Sequence, residues 1–135
     1  PTELATARHA ANQAFASAGV SIDDVQVAEV HDCFTITEVL MYEAMGMAAK
    51  GQGGALASSG HTTLSGALPV NTGGGLIGFG HPVGATGVKQ VLEIWRQMKG
   101  LCGAYQIASQ PDHGLTANMG GNDKTAVVGV YRNLG

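Results

Sequence analysis

Three short segments carry side chains able to do covalent or proton-transfer chemistry. The first, His31-Asp32-Cys33-Phe34, follows the β-branched run Val25-Gln26-Val27-Ala28-Glu29-Val30. It puts an imidazole, a carboxylate and a thiol at a strand's carboxyl end, where open α/β sheets place their sites. Extended side chains alternate, so His31 and Cys33 share a face while Asp32 turns to backbone or solvent. On these residues alone, Cys33 reads equally as a small buried apolar group and His31 as a satisfied loop histidine. The second segment is Gly80-His81-Pro82. Glycine lets the backbone approach a ligand closely, Pro82 stiffens the turn, and the helix start that follows favours anionic groups. An incidental histidine in a glycine-rich turn is the alternative there. The third, Asn118-Met119-Gly120-Gly121, reads as a tight turn ahead of a strand. Its N–H groups suit an oxyanion, or it is a plain hairpin.

Other chemistries find less support. Gly73 to Gly80 has no following Gly-Lys-Ser/Thr, as a P-loop requires, and no clear strand precedes it, as a dinucleotide fingerprint requires. His31, Cys33 and His81 are zinc-type ligands, but they come singly, so no metal site is expected. His9 on a helix, and His61 and His113 in polar loops, read as solvated.

These segments sit in a chain of 135 residues, enough for one domain with a buried core. A hydrophobic fraction of 44% excludes a disordered tail. A net charge of −3 excludes the electrostatic footprint of a nucleic-acid binder. Charged residues are only 13%, about half the usual share. So small a polar surface implies that another chain or domain covers part of it. Two cysteines make no disulfide framework. No stretch approaches the ~20 apolar residues of a membrane span. The start lacks a secretory pattern, so the expected location is cytoplasmic.

Several elements must position the three segments. Thr2 to Ala18 has the spacing of a helix, with Leu4, Ala7, Ala11, Ala14, Phe15 and Ala18 on one face and Gly19 as its cap. Ser21 to Asp24 is a turn and Val25 to Val30 a strand. Thr35-Ile36-Thr37-Glu38 has capping-box spacing, opening a helix marked by Ile36, Val39, Leu40 and Ala44. Lys50 to Gly66 reads as a surface excursion. Val88, Val91, Leu92 and Trp95 mark a second amphipathic helix stopped by Gly100. Tyr105 to Ser109 and Thr125 to Tyr131 are strand-like, joined by a polar loop. The order predicts an α/β fold, a mixed sheet with helices packed on it.

Taken together, the segments resemble the C-terminal half of the thiolase superfamily, nearest its sterol-carrier-protein-type and lipid-transfer branch. The likeness runs nearly end to end. It rests on Val27-Ala28-Glu29-Val30-His31-Asp32-Cys33-Phe34, on Tyr42-Glu43-Ala44-Met45-Gly46 and on Pro69-Val70-Asn71-Thr72-Gly73-Gly74. Above all it rests on the block from Gly78-Phe79-Gly80-His81-Pro82 to Val83-Gly84-Ala85-Thr86-Gly87. The resemblance implies half of an αβαβα sandwich, with residues 1–135 as a thiolase C-terminal domain. It implies acyl transfer to coenzyme A, a substrate and not a resident cofactor, through an acyl-cysteine that breaks or forms a 3-ketoacyl-CoA.

In that pattern His81 activates the nucleophile and steadies the thioester oxygen, His31 joins the oxyanion hole, and Cys33 is the acid/base. Asn118 stands where many thiolases carry the cysteine of a Cys-x-Gly. Gly120 matches the glycine and offers its N–H to the oxyanion. Cys102 reads as structural. The acylated cysteine belongs to the N-terminal half, which is not in these residues, so the chain is expected to be inactive alone. Its partners would be that half, an acyl-CoA and, in the complete enzyme, a homo-oligomer. One face and the slot of a strand preceding the first helix are expected to stay open. A retro-aldolase acting on steroid side-chain CoA esters and a non-catalytic acyl-CoA or partner-binding module are the other readings.

Overall fold

The computed structural model describes residues 2–135. The chain runs α1 (Ala5–Ala18), a 3₁₀ turn (Ile22–Asp24), β1 (Val27–Val30), α2 (Thr35–Ala44), α3 (Gly53–Ser58) and α4 (Gly75–Phe79). It continues with α5 (Thr86–Met98), a 3₁₀ turn (Gly103–Tyr105), β2 (His113–Gly120) and β3 (Thr125–Arg132). The sheet order is β1-β2-β3, with β1 parallel to β2 and β2 antiparallel to β3. A single parallel bridge from Ala28 to Val70 extends it beyond β1.

Alternation along β1 sorts the core into two layers. Ala28 and Val30, with Leu115 and Ala117 of β2, pack with Leu4, Ala7 and Ala11 of α1 and Met41, Tyr42 and Met45 of the α2 region. Val27 faces the other way, onto Ile94 and Met98 of α5. The mixed sheet therefore lies between α1 and α2 on one face and α5 on the other, the α/β arrangement expected.

Four expectations are corrected. Tyr105 to Ser109 is not a strand; the second strand is His113–Gly120, including residues read as loop. Gln97 explains the difference. Its amide donates to Tyr105 O at 2.8 Å and accepts from Ile107 N–H at 3.0 Å, pinning that segment to α5. Residues 118–120 thus end a strand, and the hairpin turn is the next step, where Gly121, Asn122 and Asp123 all have positive φ. No capping box forms at Thr35; Phe34 takes the cap position, without a side-chain bond. A helix-start bond pair occurs instead at Ser21, whose N–H and hydroxyl both donate to the Asp24 carboxylate, at 2.7 and 3.0 Å. Lys50 to Gly66 contains a short helix, α3.

The fourth correction concerns the helix faces. On α2, Ile36 points to solvent while Thr37, Met41 and Tyr42 are buried. On α5 the expected core stripe is outermost: Val88 is 72% exposed, Leu92 47% and Trp95 48%. The face against the sheet is Gln90, Glu93, Ile94, Gln97 and Met98, two of them glutamines with no exposed surface. Gln90 reaches Ala117 O at 3.3 Å and Gln97 the Tyr105 carbonyl, so these amides find acceptors that an apolar stripe would not need. β1 and β2 are direct neighbours, in register from Val27–Gly114 to Val30–Ala117.

The start of α1 has no cap of its own, and the β2–β3 hairpin supplies one. Asp123 accepts the Thr6 and Ala7 N–H groups at 2.8 and 2.9 Å. A carboxylate there meets orphan donors and the positive end of the helix dipole. Asp123→Ala is expected to cost about 1 kcal/mol, measured as a lower urea midpoint at unchanged denaturant slope; an unchanged midpoint would remove the cap from this account.

Candidate active site

Parallel pairing of β1 with β2 sets their carboxyl ends side by side, and the three reactive segments meet there. A cavity of about 320 Å³ is lined by His31, Cys33, His81, Asn118, Met119 and Gly120, with Phe34, Thr37 and Val83 at its sides. All four residues singled out for catalysis therefore share one space. The His31 and His81 rings stand edge to face, centroids 5.0 Å apart and planes at 85°. A larger groove between α1 and β3 is lined by Ala10, Ala14, Val127 and Val128 among others and brings no reactive side chain together.

Each histidine is held at Nδ1. His31 Nδ1 lies 2.5 Å from Asn118 Oδ1, which also accepts the Met119 N–H at 3.1 Å. That second bond fixes the amide's orientation, so its oxygen faces the ring and the ring nitrogen must be the donor. His81 Nδ1 lies 2.6 Å from Thr86 Oγ1, whose single proton goes to Pro82 O at 3.2 Å. The same logic makes His81 an Nδ1–H donor. Both neutral rings keep an unprotonated Nε2, ready to take a proton and then to donate it. Burial pushes the His31 pKa below 6.5, against a smaller upward pull from Asn118, so the neutral form is favoured.

Asp32 turns to backbone, as the alternation predicts. Buried, it accepts Leu76 N–H at 2.7 Å and approaches Ile77 N–H at 3.5 Å, tying the His31 segment to the start of α4. Gly75, at positive φ, is required there, since a Cβ would collide with that carboxylate. Asn71 holds the other side by accepting Val30 N–H at 2.9 Å. Cys33 is half-buried, its Sγ 3.8 Å from Thr37 Oγ1 one helical turn on. Cys102 lies apart and buried, and burial pushes its thiol pKa up, away from nucleophile behaviour. His9 is exposed, and His61 and His113 are half-buried. Among the described residues no group of three or more His, Cys, Asp or Glu side chains is gathered to hold a metal ion.

Two partners escaped the sequence reading. The Asn118 amide and the Thr86 hydroxyl set the histidine tautomers, across 87 and 5 residues of chain. Thr86 lies inside the Gly84-Ala85-Thr86-Gly87 block. The only sequence signal for Asn118 was a side chain standing where a cysteine is common.

Behind the histidines, under α5, lies a polar patch. Glu29 is 1% exposed, its Oε2 3.9 Å from Lys89 Nζ, and neither group has a hydrogen-bond partner. At that distance the ion pair loses to desolvation. Burial pushes the Glu29 pKa up to about 8 in spite of Lys89, so the carboxyl is protonated at neutral pH.

This fold is that of a thiolase-type C-terminal domain. Residues 1–133 match the thiolase C-terminal domain-like family, and the chain belongs to it. It is 39% identical over 130 residues to an acetyl-CoA acetyltransferase of Methanothermobacter thermautotrophicus, covering 96% of this chain and 34% of that protein. Rat sterol carrier protein 2 is 41% identical over 128 residues, covering 93% of this chain and 22% of that protein. Among solved structures, the Ltp2-ChsH2(DUF35) aldolase superposes with a TM-score of 0.77 at 20% identity, over 95% of this chain and 32% of that one. The chain thus spans about a third or less of these relatives.

Two outcomes are expected. Glu29 keeps in the folded state a proton that the unfolded chain releases near 4.5, so its stabilising effect is full below that pH and is lost as pH rises through about 8. His31 acts oppositely, and its contribution is complete above its ordinary 6.5. Between pH 6.5 and 8 the stability from urea unfolding should therefore fall, and Glu29→Gln should flatten that slope; an equal slope in both proteins contradicts the buried protonated carboxyl. Asn118→Ala should free His31 to populate the Nε2–H tautomer, visible in ring ¹⁵N shifts. A ring still wholly Nδ1–H would show that another group holds it.

Proposed function

We propose that the chain supplies the acid–base and oxyanion half of a thiolase active site whose acylated cysteine comes from an N-terminal half. The observation that carries this reading is the convergence of His31, Cys33, His81 and Gly120 on one cavity, both rings presenting a free Nε2. His81 Nε2 takes the proton of the incoming cysteine, whose sulfur adds to the keto carbon of a 3-ketoacyl-CoA. The resulting imidazolium, with the Gly120 N–H, faces the oxyanion. As the carbon–carbon bond breaks, the electron pair goes to the acetyl-CoA fragment and Cys33 gives it a proton. The Cys33 thiolate then takes the proton of a second coenzyme A thiol, which attacks the acyl-cysteine and releases the shortened acyl-CoA. His31 lines the same cavity with its resting Nε2 as an acceptor, so the oxyanion's donors are the His81 imidazolium and the Gly120 N–H.

The outward stripe of α5 supports the rest of the proposal. Val88, Val91, Leu92 and Trp95 form an apolar face on the helix that also carries the His81 partner Thr86, and the chain is about a third of its relatives' length. That face is the seat of the N-terminal half, and the chain by itself does not turn over. Keeping both His31 and Cys33 favours thiolysis over a retro-aldol cleavage, which needs no acyl-cysteine.

The test is coenzyme A-dependent thiolysis of acetoacetyl-CoA, followed by loss of the enolate absorbance. The chain alone is expected to be inactive and to gain activity when joined to an N-terminal half. His81→Ala in the joined enzyme should lower kcat by about 10²-fold or more, and Leu92→Asp should weaken association of the halves while leaving the fold's far-ultraviolet spectrum intact. Turnover by the chain alone, or a fully active His81→Ala enzyme, would falsify this division of labour.

A further inference from the structure

Lys89 sits one turn into α5, three residues after Thr86, and its ammonium meets both segments that carry the site's histidines. Nζ lies 3.7 Å from the centroid of the Phe79 ring, and Phe79 stands two residues before His81. The same atom lies 3.9 Å from Oε2 of Glu29, two residues before His31. No hydrogen-bond acceptor reaches this buried nitrogen, so the ring face and the carboxyl are what it has. A cation over an aromatic face is held by the ring's quadrupole, more strongly where water is excluded. The Phe79 ring in turn covers Gly73, where any side chain would strike it, so the ring has a fixed seat on the loop side as well. Glu93, one turn further along α5, is paired with Arg96 at 3.5 Å and faces the same space.

We propose that Lys89 is a positioning residue whose ammonium, seated on the Phe79 ring, holds the end of α4 to α5 and so fixes where the His81 ring stands against His31. The argument is one of connection. His81 is tethered to α5 through Thr86, at 2.6 Å, and Gly80 before it, at φ 93°, is held by its N–H to Leu76 O at 2.9 Å. Phe79 is the last helical residue before that turn. Holding its ring from α5 fixes both ends of the 80–85 loop on one helix. β1 is packed on α5 through Val27 and Ile94, and the two rings are left edge to face at 5.0 Å. Lysine suits the position because a compact ammonium reaches between a ring face and a carboxyl without needing an acceptor plane of its own.

The inference rests on the proposed function only in treating the two imidazoles as a working pair, and its test needs no turnover. The ring signals of His31 and His81 and the cross-relaxation between the rings are recorded by NMR on the chain as it stands. In Lys89→Met both ring signals should shift and the ring-to-ring contact should fall severalfold, while Lys89→Arg, which keeps a cation over the ring, should retain most of it. Unmoved rings in Lys89→Met, or an equal loss in Lys89→Arg, overturn the clamp. Should Lys89→Met fail to fold, Phe79→Leu reads the same contact with the ammonium in place; it is expected to lose the ring-to-ring signal, and an unaltered signal overturns the proposal. A clamp that fails leaves the thiolase reading untouched, and an inactive joined enzyme leaves the clamp untouched.

Discussion

The site depends on the parallel pairing of β1 with β2. That register places Val30 beside Ala117, so that the next residue of each strand, His31 and Asn118, meet side chain to side chain. A register slip of one residue would turn one of the two side chains to the opposite face and part the pair. Everything else that shapes the cavity is hung from that pair of strand ends. Asp32 reaches from β1 to the start of α4, Asn71 reaches back to Val30, and the hairpin after β2 caps α1 through Asp123. The catalytic geometry is thus a property of the strand ends and their caps more than of any single loop.

The same arrangement explains why so many polar groups are buried with so few partners. Glu29 must face α5 because its neighbours Ala28 and Val30 face the α1 layer. It therefore lies beside Lys89, Gln90 and Glu93, several of whose polar atoms lack a hydrogen-bond partner within the chain. Unpaired polar atoms of this kind cost roughly 1–3 kcal/mol each. A cost of that order is characteristic of places where geometry serves function before stability. The polar underside of α5 and its apolar outer face are one observation: the helix turns its apolar stripe away from the sheet and its amides toward it.

Much of the site was legible in the sequence because its chemistry is carried by contiguous residues. His31, Cys33 and His81 announce themselves by type and by the glycine and proline around them, and alternation turned Asp32 away from them, to backbone or solvent. The three longer helices and the first and last strands also followed from the sequence pattern, while the short α3 and α4 did not. What periodicity could not supply was direction. The stripe of Val88, Val91, Leu92 and Trp95 marks a helix correctly, yet a pattern cannot say which of two flanking layers receives it. The β2 strand was missed for a related reason. Its buried residues Gly114, Leu115, Thr116 and Ala117 are small or mixed in polarity, and the stronger strand signal at Tyr105 was cancelled by the Gln97 side chain, a contact no local window contains.

The tautomers show where sequence reading ends and geometry takes over. A histidine and an asparagine 87 positions apart carry no mutual signal, but once paired they settle which nitrogen of His31 bears the proton. For His81 the deciding proton is not even on the ring: Thr86 spends its hydroxyl hydrogen on Pro82 O, and so can only accept from Nδ1. Two different devices, an amide fixed by a backbone N–H and a hydroxyl fixed by a backbone carbonyl, reach the same end. Each leaves Nε2 bare in a shared cavity beside a half-buried thiol. A charge on the His81 ring, its centroid 5.0 Å away, adds to the burial that keeps His31 neutral.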